Sequence, residues 1–295
     1  MFIIPWLPTA VGSAKIARMR IHHQNRAPFL TFCLVFVLTL LAFAPHRIYA
    51  QDWAKAALEK SPRHREWVTI TYGNRKVQAW VVYPEVKQKA TVVLMIHEIF
   101  GLSDWMRAEA DEIAAAGYIA VAPDLLSSYG PKGGGSSDFP DQDSIVKAVF
   151  KLDPAVVTAD LDATADYAKK LPASNGKLTV AGFCWGGSNS FAFATHRKDL
   201  SAAFVFYGTG PDAAAIKNIE APVYGFYAGN DARVGATVPA TTDAMKAAGK
   251  KYEPVTYEGA GHGFMRAGSA PDASPENKKA HDEGLKRLTT LLKTL

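Results

Sequence analysis

Residues 181–187 read AGFCWGG, and glycines flank Cys184 two positions away on either side. That spacing suits a sharp turn whose strained backbone presents one side chain, because bulk two residues away would clash. A cysteine there is a small buried hydrophobe, half of a disulfide, a metal ligand or a nucleophile. The helix expected to follow it places N–H groups and a positive dipole end near the sulfur, which favours thiolate. Two later loops hold the residue types that a nucleophile needs. His262 sits between glycines in EGAGHGF, residues 258–264. Its ring can swing into a cleft and serve as a base whose pKa lies near neutrality. Asp231 sits in GNDARV, residues 229–234. An aspartate in a turn ordinarily satisfies only its own backbone, but this one falls between the cysteine and the histidine in chain order. Separations of 47 and 31 residues leave room for one strand–helix unit between each pair. An acid so placed would hold the imidazole tautomer and stabilise its cation.

A fourth loop, HEIFG at residues 97–101, follows an apolar run. Its His-Glu pair does not begin a zinc-protease motif, because Gly101 stands where the second histidine belongs. As an oxyanion loop it fits: one backbone N–H comes from this connection, here Ile99, and another from the residue after the nucleophile, here Trp185. Glu98 is an acid at the end of an apolar strand, where desolvation favours the neutral carboxyl unless a cation pairs with it.

The bulk composition narrows the classes. The 295-residue chain carries a formal charge of +5, but Lys15, Arg18, Arg20, Arg26 and Arg47 supply all of it and residues 1–50 hold no acid. Residues 51–295 are formally neutral, so no basic face calls for nucleic acid. Residues 1–50 form a basic stretch, the apolar run PFLTFCLVFVLTLLAFA and a small residue, Ala50, before Gln51. This is the pattern of a signal for export to the periplasm or beyond, with an uncleaved membrane anchor as the alternative. Removal of that segment removes Cys33, leaving Cys184 as the single cysteine of the mature chain. A disulfide within one mature chain is then excluded, and one cysteine makes no thiolate-rich metal site. No metal and no cofactor are expected.

Elements able to position these loops are readable from about residue 65. Trp67–Tyr72 and Val77–Tyr83 suggest a hairpin around Gly73-Asn74. Buried-strand runs follow at Ala90–Ile96, Tyr118–Ala122, Leu178–Ala181, Ala202–Tyr207, Val223–Ala228 and Glu253–Tyr257. Helical spacing is expected over 104–116, 144–151, 154–171, 185–196, 237–248 and 275–293. Residues 125–143, rich in Gly, Ser and Pro, form the longest expected loop, of the kind that acts as a lid or binding loop. Alternating strands and helices give one α/β domain over 51–295, a mostly parallel sheet with helices on both faces. Ligands on such sheets sit beyond the C-terminal ends of the strands, where all four loops fall.

In this order HEIFG, GFCWGG, GNDARV and GAGHGF resemble the dienelactone hydrolase family, over about residues 65–295. The resemblance implies an α/β-hydrolase fold and a Cys184–Asp231–His262 triad. It also implies that Glu98 hydrogen-bonds the resting thiol until substrate perturbs that pairing and releases a thiolate toward the histidine. Members of the best-studied type open the ring of a carboxylated enol lactone. An arginine four residues after the histidine, here Arg266, binds the substrate carboxylate, and Gly263 stands where that type has serine. Phe100 and Phe264, in the same loops, are expected to touch substrate. The expected activity is hydrolysis of an activated ester or lactone through an acyl-enzyme. The alternatives are a catalytically silent binding protein and a thiol-redox protein on the same fold.

Overall fold

The runs too apolar to leave either face in water form the middle of the sheet. The computed structural model describes residues 51–295; the expected export signal lies outside the described residues. Strands β1 (Arg65–Tyr72) and β2 (Arg75–Val82) make the hairpin, with Gly73 at the left-handed φ of +49°. They are followed by β3 (Ala90–Ile96), β4 (Ile119–Pro123), β5 (Ser174–Phe183), β6 (Leu200–Phe206), β7 (Val223–Ala228) and β8 (Tyr252–Tyr257). The sheet order is β1-β2-β4-β3-β5-β6-β7-β8. Only the β1–β2 and β2–β4 pairings are antiparallel.

The helices are α1 (Asp52–Lys60), α2 (Asp104–Ala115), α3 (Gln142–Val149), α4 (Pro154–Lys169), α5 (Trp185–His196), α6 (Ala213–Ile216), α7 (Ala232–Gly235), α8 (Val238–Ala247), α9 (Phe264–Ser269) and α10 (Pro275–Leu292). Alternate residues of β3 divide between two cores. Val93 and Met95 share one with Leu58, Trp105 and Leu288 of α1, α2 and α10. Val92, Leu94 and Ile96 share the other with Leu161 of α4 and Phe191 of α5. Side chains buried this fully are worth roughly 1.5–3 kcal/mol each, which is why a continuous apolar run becomes a central strand. Local capping sets where helices begin. Asp153 accepts from the Ala155 N–H ahead of Pro154, and Ser274 accepts from the Asn277 N–H ahead of Pro275. Among the described residues no helix is long and apolar enough to cross a membrane.

The structure departs from expectation in places with clear causes. Helix α1 is nine residues long and its apolar positions are mostly alanine; it buries Ala54 and Leu58, and Gln51 at its start accepts from the Trp105 N–H at 3.1 Å. Helices α6, α7 and α9 are too short for periodicity to be visible. Strand β5 starts at Ser174, four residues before its apolar run. The 125–143 segment is tied down rather than lid-like. Buried Asp124 accepts from the Ser136 backbone N–H and hydroxyl, each at 2.7 Å, and the Leu102 N–H donates to the same hydroxyl.

Candidate active site

Cys184 joins β5 to α5 with φ +57° and ψ −114°, a conformation that costs energy for any residue with a Cβ. Close packing enforces it. A Cβ on Gly182 would lie 1.9 Å from the Gly186 carbonyl oxygen, and one on Gly186 would lie 2.2 Å from that of Ile96. The Cys184 N–H donates to the Phe206 carbonyl at 3.0 Å, so the turn is also fixed by its neighbouring strand.

The acid and the histidine arrive from the next loops along the same edge. Asp231 caps α7, accepting from the Val234 N–H at 3.2 Å. Asn230 fastens this turn to the histidine loop: its N–H donates to the Ala260 carbonyl and its side chain to that of Gly259, each at 2.9 Å. The Gly261 N–H donates to Asn277 Oδ1 of α10 at 2.9 Å. Held from both sides, His262 places Nδ1 2.5 Å from Asp231 Oδ2 and Nε2 3.0 Å from Cys184 Sγ. The buried carboxylate accepts the Nδ1 proton, which leaves Nε2 to accept from the thiol. The ring of Tyr207, itself at φ +40°, meets the imidazole edge-on at 5.1 Å.

The electrostatics differ from the sequence expectation. The start of α5 was expected to favour thiolate, yet burial, reinforced by the charge of Glu98, pushes the Cys184 thiol up to about 11. Hydrogen bonds from the Trp185 and Ile99 N–H groups, with the charge of Arg233, oppose this and lose. Cys184 therefore rests as a thiol at neutral pH. Both N–H groups lie close enough to the sulfur to favour its anion.

Glu98 does not hydrogen-bond the thiol. It is 3 % exposed, and its Oε2 accepts from Arg266 Nε at 2.8 Å. Burial raises its carboxyl above the ordinary range, while Arg266 draws it back. Arg266 in turn stacks over Phe100, 5.0 Å from guanidinium carbon to ring centre. The expectation of an Arg266 guanidinium waiting for a substrate carboxylate is thus corrected: a carboxylate already holds it. His97 braces this loop, with Nδ1 2.7 Å from the Glu98 carbonyl and its ring stacked on Trp185 at 5.5 Å.

These groups line a cavity of about 590 Å³. Cys184, His262, Glu98, Ile99, Phe100, Trp185 and Arg266 all face it. Phe264 does not. It is 0 % exposed and packs on Tyr207 and Tyr257, so its expected contact with substrate is withdrawn. Tyr207, Phe150, Ser188, Thr209 and Arg233 also line the cavity, and the sequence did not single them out. Arg233 had a signal, lying two residues after Asp231 in the same loop. Phe150 had none, since an exposed aromatic at a helix end looks like any surface residue. Among the described residues Arg233 is exposed and makes no ion pair or hydrogen bond.

Comparison with known proteins places the chain in a family. The profile of the "Dienelactone hydrolase family" matches residues 77–295. A Methylorubrum extorquens protein assigned as a carboxymethylenebutenolidase is 34 % identical over 209 residues, covering 67 % of this chain and 71 % of its own length. The carboxymethylenebutenolidase of Pseudomonas putida is 30 % identical over 194 residues, covering 62 % and 79 % respectively. A crystal structure from Klebsiella pneumoniae subsp. pneumoniae, assigned as a dienelactone hydrolase, superposes with a TM-score of 0.69 at 26 % identity, over 79 % of this chain and 99 % of that one. With the family profile spanning the whole sheet from β2 onward, the chain belongs to the dienelactone hydrolase family, an α/β-hydrolase of the ester- and lactone-cleaving class.

Proposed function

We propose that the protein hydrolyses a small activated ester or lactone, of the enol-lactone kind, through a Cys184–His262–Asp231 triad and an acyl-enzyme. The observation that carries this reading is the relay of 3.0 Å and 2.5 Å contacts opening onto a 590 Å³ cavity. His262 Nε2 takes the Cys184 proton as the sulfur attacks the acyl carbon. The Ile99 and Trp185 N–H groups bind the oxygen that becomes negative. Collapse breaks the bond to the leaving oxygen, which receives the proton from His262 and departs as an enol or alcohol. A water deprotonated by His262 then attacks the thioester and frees the acid, returning the proton to sulfur. Asp231 keeps Nδ1 protonated throughout and stabilises the imidazolium between transfers.

A resting thiol near 11 suits activated acyl groups, since the base is a modest one and the thiolate leaves as readily as it attacks. Glu98 and Arg266 act as a charge pair beside the sulfur. An incoming group that draws Arg266 away alters the charge that Glu98 presents to it. The apolar wall of Phe100, Phe150 and Trp185 fits a compact planar acyl portion. No observation favours the silent or thiol-redox alternatives, neither of which needs a histidine–aspartate pair on the sulfur. Export rests on residues 1–50 alone; N-terminal sequencing that finds Gln51 on the exported form supports it, and an intact terminus on membranes opposes it. Turnover of p-nitrophenyl acetate by the purified protein, absent from Cys184→Ala, tests the hydrolytic reading. Equal rates for the two proteins sink it.

A further inference from the structure

Three side chains that do not line the Cys184 cavity converge from α2 and α10. Glu109 is 1 % exposed, and its Oε1 has no hydrogen-bond partner among the described residues. His281, on α10, is 7 % exposed, and its Nε2 likewise has none. That nitrogen lies 3.8 Å from Glu112 Oε2. One ligand atom from each of Glu109, Glu112 and His281 lies within 4.8 Å of the other two. We propose that Glu109, Glu112 and His281 bind one divalent transition-metal cation, of which Zn²⁺ is the representative, and so fasten α10 to α2.

The chemistry of the three groups points the same way. Glu109 and Glu112 are three residues apart on one helix, so their carboxylates share a face. His281 Nδ1 lies 3.1 Å from Asp282 Oδ1. With Nδ1–H donating to that carboxylate, the Nε2 lone pair is left facing the glutamates, the arrangement that orients a metal-binding imidazole. Without a cation, a buried carboxyl group and a buried nitrogen lone pair face one another beside a half-exposed carboxylate. Such groups are costly unless something positive lies between them. A dication neutralises both carboxylates at once.

The dimensions are compatible. Zinc–oxygen and zinc–nitrogen bonds of about 2.0–2.2 Å put tetrahedral ligand atoms roughly 3.4 Å apart. Glu112 is the side chain free to close the difference, being 43 % exposed, and the same opening admits the ion and a water as fourth ligand. His281 has little room to withdraw, because a Cβ on neighbouring Gly268 would lie 2.5 Å from its own Cβ. One imidazole with two carboxylates suits zinc and the late first-row dications. It does not suit copper(I), which prefers sulfur, or magnesium, which prefers oxygen alone. The site was invisible in the sequence because Glu109 and Glu112 look like two positions of an ordinary charged helix, with the third ligand about 170 residues away.

The test is calorimetric titration of the chelator-treated full-length protein with ZnCl₂, beside a MgCl₂ control. The expected result is one zinc per chain, no magnesium binding, and a rise in the melting midpoint of about 5–10 °C at a hundredfold excess over Kd. Glu112→Gln and Asp282→Asn, both at exposed positions, should each weaken binding about tenfold or more while leaving the metal-free melting midpoint unchanged. His281→Gln should abolish stoichiometric binding. Cys184→Ala should bind as tightly as the unaltered protein, since the Cys184–His262 sulfur–imidazole pair in the cleft is not part of the proposed ligand set. Binding lost in Cys184→Ala and unchanged in Glu112→Gln would move the metal to the cleft and overturn the proposal. So would the absence of stoichiometric binding at 100 µM zinc (about −5.5 kcal/mol), leaving Glu109 and Glu112 as groups that share a proton with His281.

Discussion

The Cys184–His262–Asp231 relay and the Glu98–Arg266 pair share one cavity, yet the chain positions them by different means. The relay is set by backbone. Gly182 and Gly186 admit a turn that no side chain could replace, and the Asn230 contacts lock the acid loop to the histidine loop. The charge pair is set by side chains meeting across the fold, Glu98 from the end of β3 and Arg266 from α9, 168 residues apart. A backbone-built relay holds its geometry whatever occupies the cavity. A side-chain pair responds to every charge that enters, which makes it the part of the site that tunes reactivity.

The largest expected effect removes the relay's first member. Cys184→Ala should lower ester turnover by about a thousandfold or more while preserving the melting midpoint within a few degrees, since the partly buried thiol packs only on the edge of the core. Asp231→Asn comes next, with a loss of about a hundred- to ten-thousandfold in kcat. The amide still accepts a proton through its oxygen but no longer stabilises the imidazolium or fixes the Nδ1–H tautomer. Steady-state kinetics on an activated aryl ester reads both. An Asp231→Asn protein within twofold of the unaltered one would show that His262 does not work through Asp231.

Glu98→Gln sharpens the contrast, because it leaves the relay in place and changes only the neighbouring charge. Burial, then Glu98, holds the thiol near 11, so only about one sulfur in a thousand is thiolate at pH 8. Removing a negative charge favours the anion and therefore lowers the thiol pKa; the freed Arg266 cation acts in the same direction. The pH profile of iodoacetamide alkylation should move to lower pH, and the rate at pH 8 should rise several-fold. An unmoved profile would reduce Glu98 to a structural partner of Arg266.

The same division decides what could be read from the sequence. Glycine spacing around Cys184 and His262 is a local record of backbone strain, so the proposed triad residues, and Ile99 and Trp185 as proposed oxyanion donors, were legible as candidates. The doubly buried strands were legible because a run such as ATVVLMI has few other fates. Pairing between charged side chains leaves no such record. Nothing in HEIFG says that Glu98 meets Arg266 and not the thiol, and nothing near GAGHGF says that Phe264 turns into the core. The protonation of Cys184 was misread for a related reason: the dipole of α5 is visible in the sequence, whereas the burial that outweighs it is a property of the assembled cavity.

The smallest effect concerns which cation recognises an anionic substrate. Arg266 is engaged by Glu98 and stacked on Phe100, so a substrate carboxylate must compete for it. Arg233 lines the same cavity, is exposed, and is close enough to the sulfur to favour its thiolate form. It is therefore the cation that meets an incoming carboxylate without displacing anything. Screening by solvent keeps such a contact modest, worth about three- to tenfold in kcat/KM. Arg233→Gln should lose that factor on a carboxylated enol ester and nothing on its neutral counterpart, and added salt should shrink the difference. Arg266→Gln should instead slow both substrates alike, because it leaves Glu98 buried without its partner and so changes the charge beside the sulfur, whatever the substrate. Measured on the same matched pair, a selective loss in Arg266→Gln with none in Arg233→Gln would exchange the two roles. That result would mean the Glu98–Arg266 pair opens for substrate at little cost, making it the substrate-binding element.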